Sequence, residues 1–156
     1  MMAVNGMAHP SFMLEVDAIG TTAKPEEVKS VPFTETPMDV NKTAGVGGLT
    51  FIVDVVGVEY DNNLKYPESL DDQIDLSVKN LRTMMKQAGL DLSDLVKIRL
   101  MVRKGAGDAE KVRAKFYQAL TKQAPRLKRQ PAAETLMYVE KLDRELAFQI
   151  VAIAAN

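Results

Sequence analysis

The sequence predicts an α+β domain in which two helices lie on one face of a mixed sheet. Three observations carry that prediction. Residues 70–88 repeat apolar side chains at helical spacing, residues 95–103 alternate apolar and polar, and a second helical stripe over 109–120 is followed by two strand-like runs. A chain of 156 residues forms one domain, and at that length about two thirds of the unfolded chain's surface can be buried.

Residues 12–19 (FMLEVDAI) put Phe12, Leu14, Val16 and Ala18 on one side and Met13, Glu15, Asp17 and Ile19 on the other, which is strand periodicity ended by Gly20. Residues 21–48, with three prolines and three glycines among polar residues, read as a long connection with room for a short strand. Residues 49–58 (LTFIVDVVGV) are apolar apart from Thr50, Asp54 and Gly57, as in a strand covered on both faces. Asp54 is its one charge, and in such a strand it is either a functional group or an edge residue reaching water.

Ser69 is positioned as an N-cap, with Asp71 and Asp72 in the favourable first turn. Ile74, Val78, Leu81, Met85 and Ala88 then make one stripe, and Gly89 stops the helix. In the strand 95–103, Val96, Ile98, Leu100 and Val102 are expected beneath the helices, with Lys97, Arg99, Met101 and Arg103 opposite. Asp108 caps the second helix, whose stripe is Ala109, Val112, Phe116, Ala119 and Leu120, and Pro125 closes the unit. The basic run 126–129 (RLKR) reads as a solvated loop rather than a phosphate site. Residues 134–139 and 146–154 read as two strands joined as a hairpin around Asp143 and Arg144. A sheet with helices on one side must cover its other face, and self-association into a closed ring is the economical answer.

Composition narrows the chemistry. There is no cysteine, which removes disulfides and thiolates and is compatible with a reducing cytoplasm. The single histidine, His9, excludes a His-rich metal site and most histidine triads, and a carboxylate-only metal site stays open but has no motif. A net charge of −1 offers no field for polyanions, so nucleic acid is not the expected partner. No run reaches the roughly 18 apolar residues of a membrane span, and the N-terminus lacks the pattern of a signal peptide. A soluble cytoplasmic protein is the expectation.

The strand LTFIVDVVGV, the segment DDQIDLSVKNLRTMMKQAGLDLSDLVKIRLMV, the later PAAETLMYVEKL and the closing FQIVAIAA together resemble the Rid family. These are the reactive intermediate deaminases, also known as YjgF-type proteins or L-PSP endoribonucleases. The resemblance divides the chain into an N-terminal extension, 1–40, and a Rid-like domain, 41–156. It implies a chorismate-mutase-like subunit, a homotrimer closing its sheets into a central barrel, and ligand pockets between subunits. It also implies cofactor-free hydrolysis of enamines and imines, with an arginine holding the substrate carboxylate and a glutamate on the final strand positioning water.

Neither residue is matched. The arginine place falls on Ala133 or, in the alternative alignment, on Glu134; the glutamate place falls on Gln149, which can orient water but cannot take its proton. The family's Ser-Gly-Gln corresponds to Val53, Asp54 and Val55, and an upstream aromatic to Val40. The resemblance therefore nominates Gln149, Glu134 and Asp54 as the polar groups of the cleft and Ala133 as the vacated substrate position, with Arg99 and Arg129 as the basic groups available for recruitment.

FMLEVDAIG also resembles the family's closing strand and this chain's own LAFQIVAIA, with Glu15 at the place of Gln149. Either it is the remnant of a duplicated domain, pairing with a sheet edge, or short apolar strands simply look alike. A remnant could complete the site of a companion Rid-like chain, giving a hetero-oligomer. Two functions follow for a small-metabolite site: a Rid-type hydrolase with altered residues, or a non-catalytic binding or regulatory subunit. Ribonuclease action has only the family's older name behind it.

Overall fold

The helices follow from local signals. The structure, a computed structural model, describes residues 22–32, 41–60, 64–143 and 145–155; the expected strand at 12–19 lies outside them. Helix α1 spans Leu70–Gln87 and begins where the Ser69 hydroxyl accepts the Asp72 N–H at 3.1 Å. Past the C-cap residue Ala88, Gly89 turns the chain at φ +77°, a conformation glycine adopts without steric cost. Helix α2 spans Ala109–Gln123, and Asp108 Oδ1 accepts the Glu110 and Lys111 N–H groups at 3.1 and 3.2 Å.

Among the described residues six strands form one sheet: β1 (Lys29–Pro32), β2 (Asn41–Val46), β3 (Leu49–Val56), β4 (Leu95–Arg103), β5 (Ala133–Val139) and β6 (Phe148–Ala155). Their order is β1-β2-β3-β6-β4-β5, with β4 and β5 parallel and the other pairs antiparallel. The fold is thus α+β with a mixed sheet. The connection 21–48 holds two strands where the sequence allowed for one, and β1, drawn from the N-terminal extension, joins the same sheet.

The last two strands are not a hairpin. β6 runs between β3 and β4 and bonds to both, while β5 lies beyond β4 at the sheet edge. The apolar alternation of β6 gains partners on two sides in this position, which a hairpin with β5 would not provide. Ile150, Ala152 and Ala154 point under the helices and meet Ile52, Val55, Ile98 and Leu100. Ile74, Val78, Leu81 and Met85 of α1 and Phe116 and Leu120 of α2 complete this core, and Lys115 joins Asp75 across the two helices at 2.7 Å.

Val96 departs from its expected place. It is 44% exposed, because the β4–β6 register shifts between Leu95 and Lys97 and turns Val96 outward. Residues 49–58 are likewise covered on one face rather than two: Leu49 and Val53 are exposed. Gly57, just beyond β3, is required by packing, since a Cβ there would run into the Gln73 carbonyl of α1.

Candidate functional site

The sheet face away from the helices carries the expected polar residues, and a defect in β3 brings two of them together. Pairing runs regularly to Ile52↔Ala152 and resumes at Val55↔Ile150, so Val53 and Asp54 stand against the single residue Val151. This is a β-bulge. Strict alternation would carry Asp54 beneath α1, where a carboxylate would lose its hydration. The extra residue instead leaves Asp54 exposed, at φ 53°, in a left-handed region that aspartate tolerates better than most residues.

Gln149 of β6 lies between Val56 of β3 and Met101 of β4. Its Nε2 donates to Asp54 Oδ1 at 3.1 Å. The strands bearing this contact are fixed from below by two buried amides of α1. Asn80 Nδ2 donates to the carbonyls of Val56 and Val58 at 2.8 and 2.9 Å. Gln73 donates to the Pro67 carbonyl at 2.8 Å and accepts the Ala147 N–H at 2.8 Å. The end of β3 and the approach to β6 are therefore tied to one helix.

Sequence reasoning did not single out Asn80. The signal available was an amide on the buried side of an amphipathic helix, one residue before Leu81. Tyr60, beyond β3, is also buried, and its phenol is raised well above the ordinary value, first by burial and then by the nearby Asp54 carboxylate.

The other nominated residues separate. Ala133 pairs with Lys97 and is exposed. Lys97 has Ile153 of β6 on its other side, so both residues share the face of Gln149. Arg99 is half-buried on that face between Val151 and Thr135, on a diagonal from both Gln149 and Ala133 that long side chains can span.

Glu134 points the opposite way, toward the helices, and is not brought together with Asp54 and Gln149. Arg113 Nε of α2 donates to both of its carboxylate oxygens at 3.1 Å, while Arg113 Nη1 meets Glu110 at 2.7 Å. Tyr117 adjoins the same carboxylate: burial first, then Glu134, raises its phenol. Arg129 is exposed at the end of the 3-10 turn Pro125–Lys128, outside the sheet.

Among the described residues, two hollows are lined by none of the nominated residues. One of about 580 Å³ runs along α2 beside Tyr117, Thr121 and Leu127, and one of about 380 Å³ sits between Ser69, Asp108 and Lys111 at the helix starts. Among the described residues no cluster of three or more histidine, cysteine or acidic side chains is placed to hold a metal ion, and no helix is long and apolar enough to cross a membrane.

Comparison with known proteins gives the geometry a context. The sequence model of a family described as endoribonuclease L-PSP matches residues 38–156. Among solved structures, the YjgF gene product of Escherichia coli superposes with a TM-score of 0.68 at 21% identity, over 82% of this chain and 98% of that one. RidA from the Antarctic bacterium Psychrobacter sp. gives 0.68 at 17% identity, over 82% and 99%. E. coli TdcF, solved with bound serine, gives 0.66 at 18% identity, over 82% and 99%. No curated protein matches in sequence.

Proposed function

The chain belongs to the endoribonuclease L-PSP family, that of the YjgF and Rid proteins, and from that premise we propose that it acts on a small metabolite at seams between copies of itself. In this reading three copies close their helix-free sheet faces together, and each seam holds a site centred on Asp54 and Gln149. The observation that carries it is the hydrogen bond between these two residues. The resemblance assigns their positions to the family's Ser-Gly-Gln and glutamate. A carboxylate and an amide are both present, each on the strand where the other is expected.

The chemistry that fits is hydrolysis of an enamine or its imine tautomer. Water adds to the carbon of the C=N bond and one of its protons passes by way of Asp54 to the nitrogen, giving a carbinolamine; the hydroxyl proton then reaches the same nitrogen through Asp54 as the C–N bond breaks, so that ammonia leaves and a 2-oxo product remains. Gln149 orients the water and holds the carboxylate in place. Arg99, on the diagonal from Ala133, is the guanidinium that this reading sets against an anionic substrate group. The serine in the TdcF structure supports a ligand of amino-acid size.

The test is ammonia release from enzymatically generated 2-aminoacrylate. The purified protein should exceed the buffer control, and Asp54→Asn should lower the rate about 100-fold, the scale of a lost general base. Release no faster than buffer would remove the hydrolase. A non-catalytic binder is the second reading, favoured by the resemblance, which leaves Ala133 or Glu134 at the family's arginine place and Gln149 at its glutamate place. In that case a thermal-shift screen of amino, oxo and cyclic metabolites should raise Tm for at least one compound without turnover.

A further inference from the structure

We propose that the surface formed by α2 and the turn after it docks a short acidic segment of a partner protein, anchored by one apolar side chain. This surface lies on the helix side of the sheet and is independent of the Asp54–Gln149 site. Charge is unevenly spread along the chain: residues 109–131 hold seven of the 20 basic residues and one of the 21 acidic ones, so acidic residues outnumber basic ones elsewhere. The acids closest to α2 are already engaged. Glu110 and Glu134 both pair with Arg113, and Asp75 pairs with Lys115. Lys122, Lys128 and Arg129 are exposed, and among the described residues none of these side chains has an ion-pair or hydrogen-bond partner. The α2 macrodipole accounts for Lys122, in its last turn. It does not account for Lys128 and Arg129, which lie beyond the helix.

The hollow of about 580 Å³ along α2 lies among these cations, and Lys128 is part of its wall. Ala114, Leu127 and Pro131 give it apolar lining. Gln118 is exposed, its amide unbonded among the described residues, and can both donate to and accept from a peptide group. Thr121 Oγ1 donates to the Tyr117 carbonyl at 2.6 Å, so it meets a ligand as an acceptor. Lys122 follows Gln118 by one helical turn on the same side of α2. Cations therefore border an apolar space from both the helix and the turn. An acidic segment with one leucine or phenylalanine complements each part, with carboxylates at the rim, the apolar side chain in the hollow and the backbone against Gln118 and Thr121. A long polyanion matches less well, because its phosphates make no use of the apolar lining and its length carries it over the acidic remainder of the molecule.

The experiment uses the full chain and a fluorescein-labelled peptide of glutamates around one central leucine, with binding followed by fluorescence polarisation. Binding should be saturable and should weaken as salt is added. Replacing the peptide's leucine by serine should weaken it about tenfold, the scale of burying one leucine side chain. Lys128→Glu combined with Arg129→Glu should weaken it by about as much. Both residues are exposed, so circular dichroism and sedimentation should match the parent protein. Lys122→Gln, on the helix rather than the turn, should weaken binding about threefold and tests the same surface without the double substitution. Lys29→Glu, on edge strand β1, should leave binding unchanged.

Absence of saturable binding, equal affinity of the substituted and parent proteins, or equal affinity for the serine peptide would each overturn the proposal. An oligouridylate of matching charge, or vesicles containing phosphatidylserine, binding as tightly as the leucine peptide would overturn it as well, replacing a peptide groove with a general polyanion surface. Ammonia release and assembly do not enter these measurements, so either result leaves the Asp54–Gln149 reading to its own test.

Discussion

Asp54 shows how one residue can be visible in a sequence while its role is not. As the single charge in LTFIVDVVGV it stands out at once, yet the bulge that turns it outward depends on register with a strand almost a hundred residues later. The direction of Glu134 was hidden for a related reason: on the helix side the Arg113 guanidinium holds its carboxylate, and no local pattern reveals that partner.

Tyr60 gives this scale its prediction. Its phenol is raised above the ordinary value of 10.0, so the folded state holds the proton more firmly than the unfolded chain does. The resulting stabilisation is complete below the unfolded value and is lost as pH rises through it toward the folded value. Urea unfolding across the alkaline range should therefore show stability falling with pH, and Tyr60→Phe should flatten part of that fall. An unchanged slope in the variant would place the effect elsewhere.

At the scale of elements, what could be read was what is local. The limits of α1, β4 and α2 follow from caps, a glycine and periodicity within single segments. Val96 and the supposed hairpin escaped because both depend on how β6 pairs, and an alternating apolar run does not state its neighbours.

The attachments of α1 were equally silent, although they matter most to the site. Asn80 satisfies two buried carbonyls at the end of β3. Asn80→Ala should remove this donor from both and cost about 2 kcal/mol, measurable by denaturant unfolding. Hydrogen exchange should quicken at Val56 and Gln149, where β3 and β6 join. Loss of stability without that local change would show that the amide does not position the site.

For the whole molecule, the consequential feature is the helix-free face. Ile153 lies near its middle between Phe51 and Lys97, and it is half-buried in the single chain. If copies join through this face, Ile153→Glu should place three carboxylates in a shared apolar layer and shift sedimentation from trimer to lone protomer, with the circular dichroism spectrum preserved. A variant that still assembles as three would show that the contact lies on another surface.

The position of β6 bears on how the chain is made. Before residues 148–155 leave the ribosome, the strands already synthesised can form only two separate fragments, β1-β2-β3 and β4-β5, each with a raw edge where β6 belongs. Such edges invite pairing with neighbouring nascent chains. The gap is therefore filled only once residues 148–155 have left the ribosome, and a polypeptide stalled short of that point is left as an aggregation hazard for chaperones to shield.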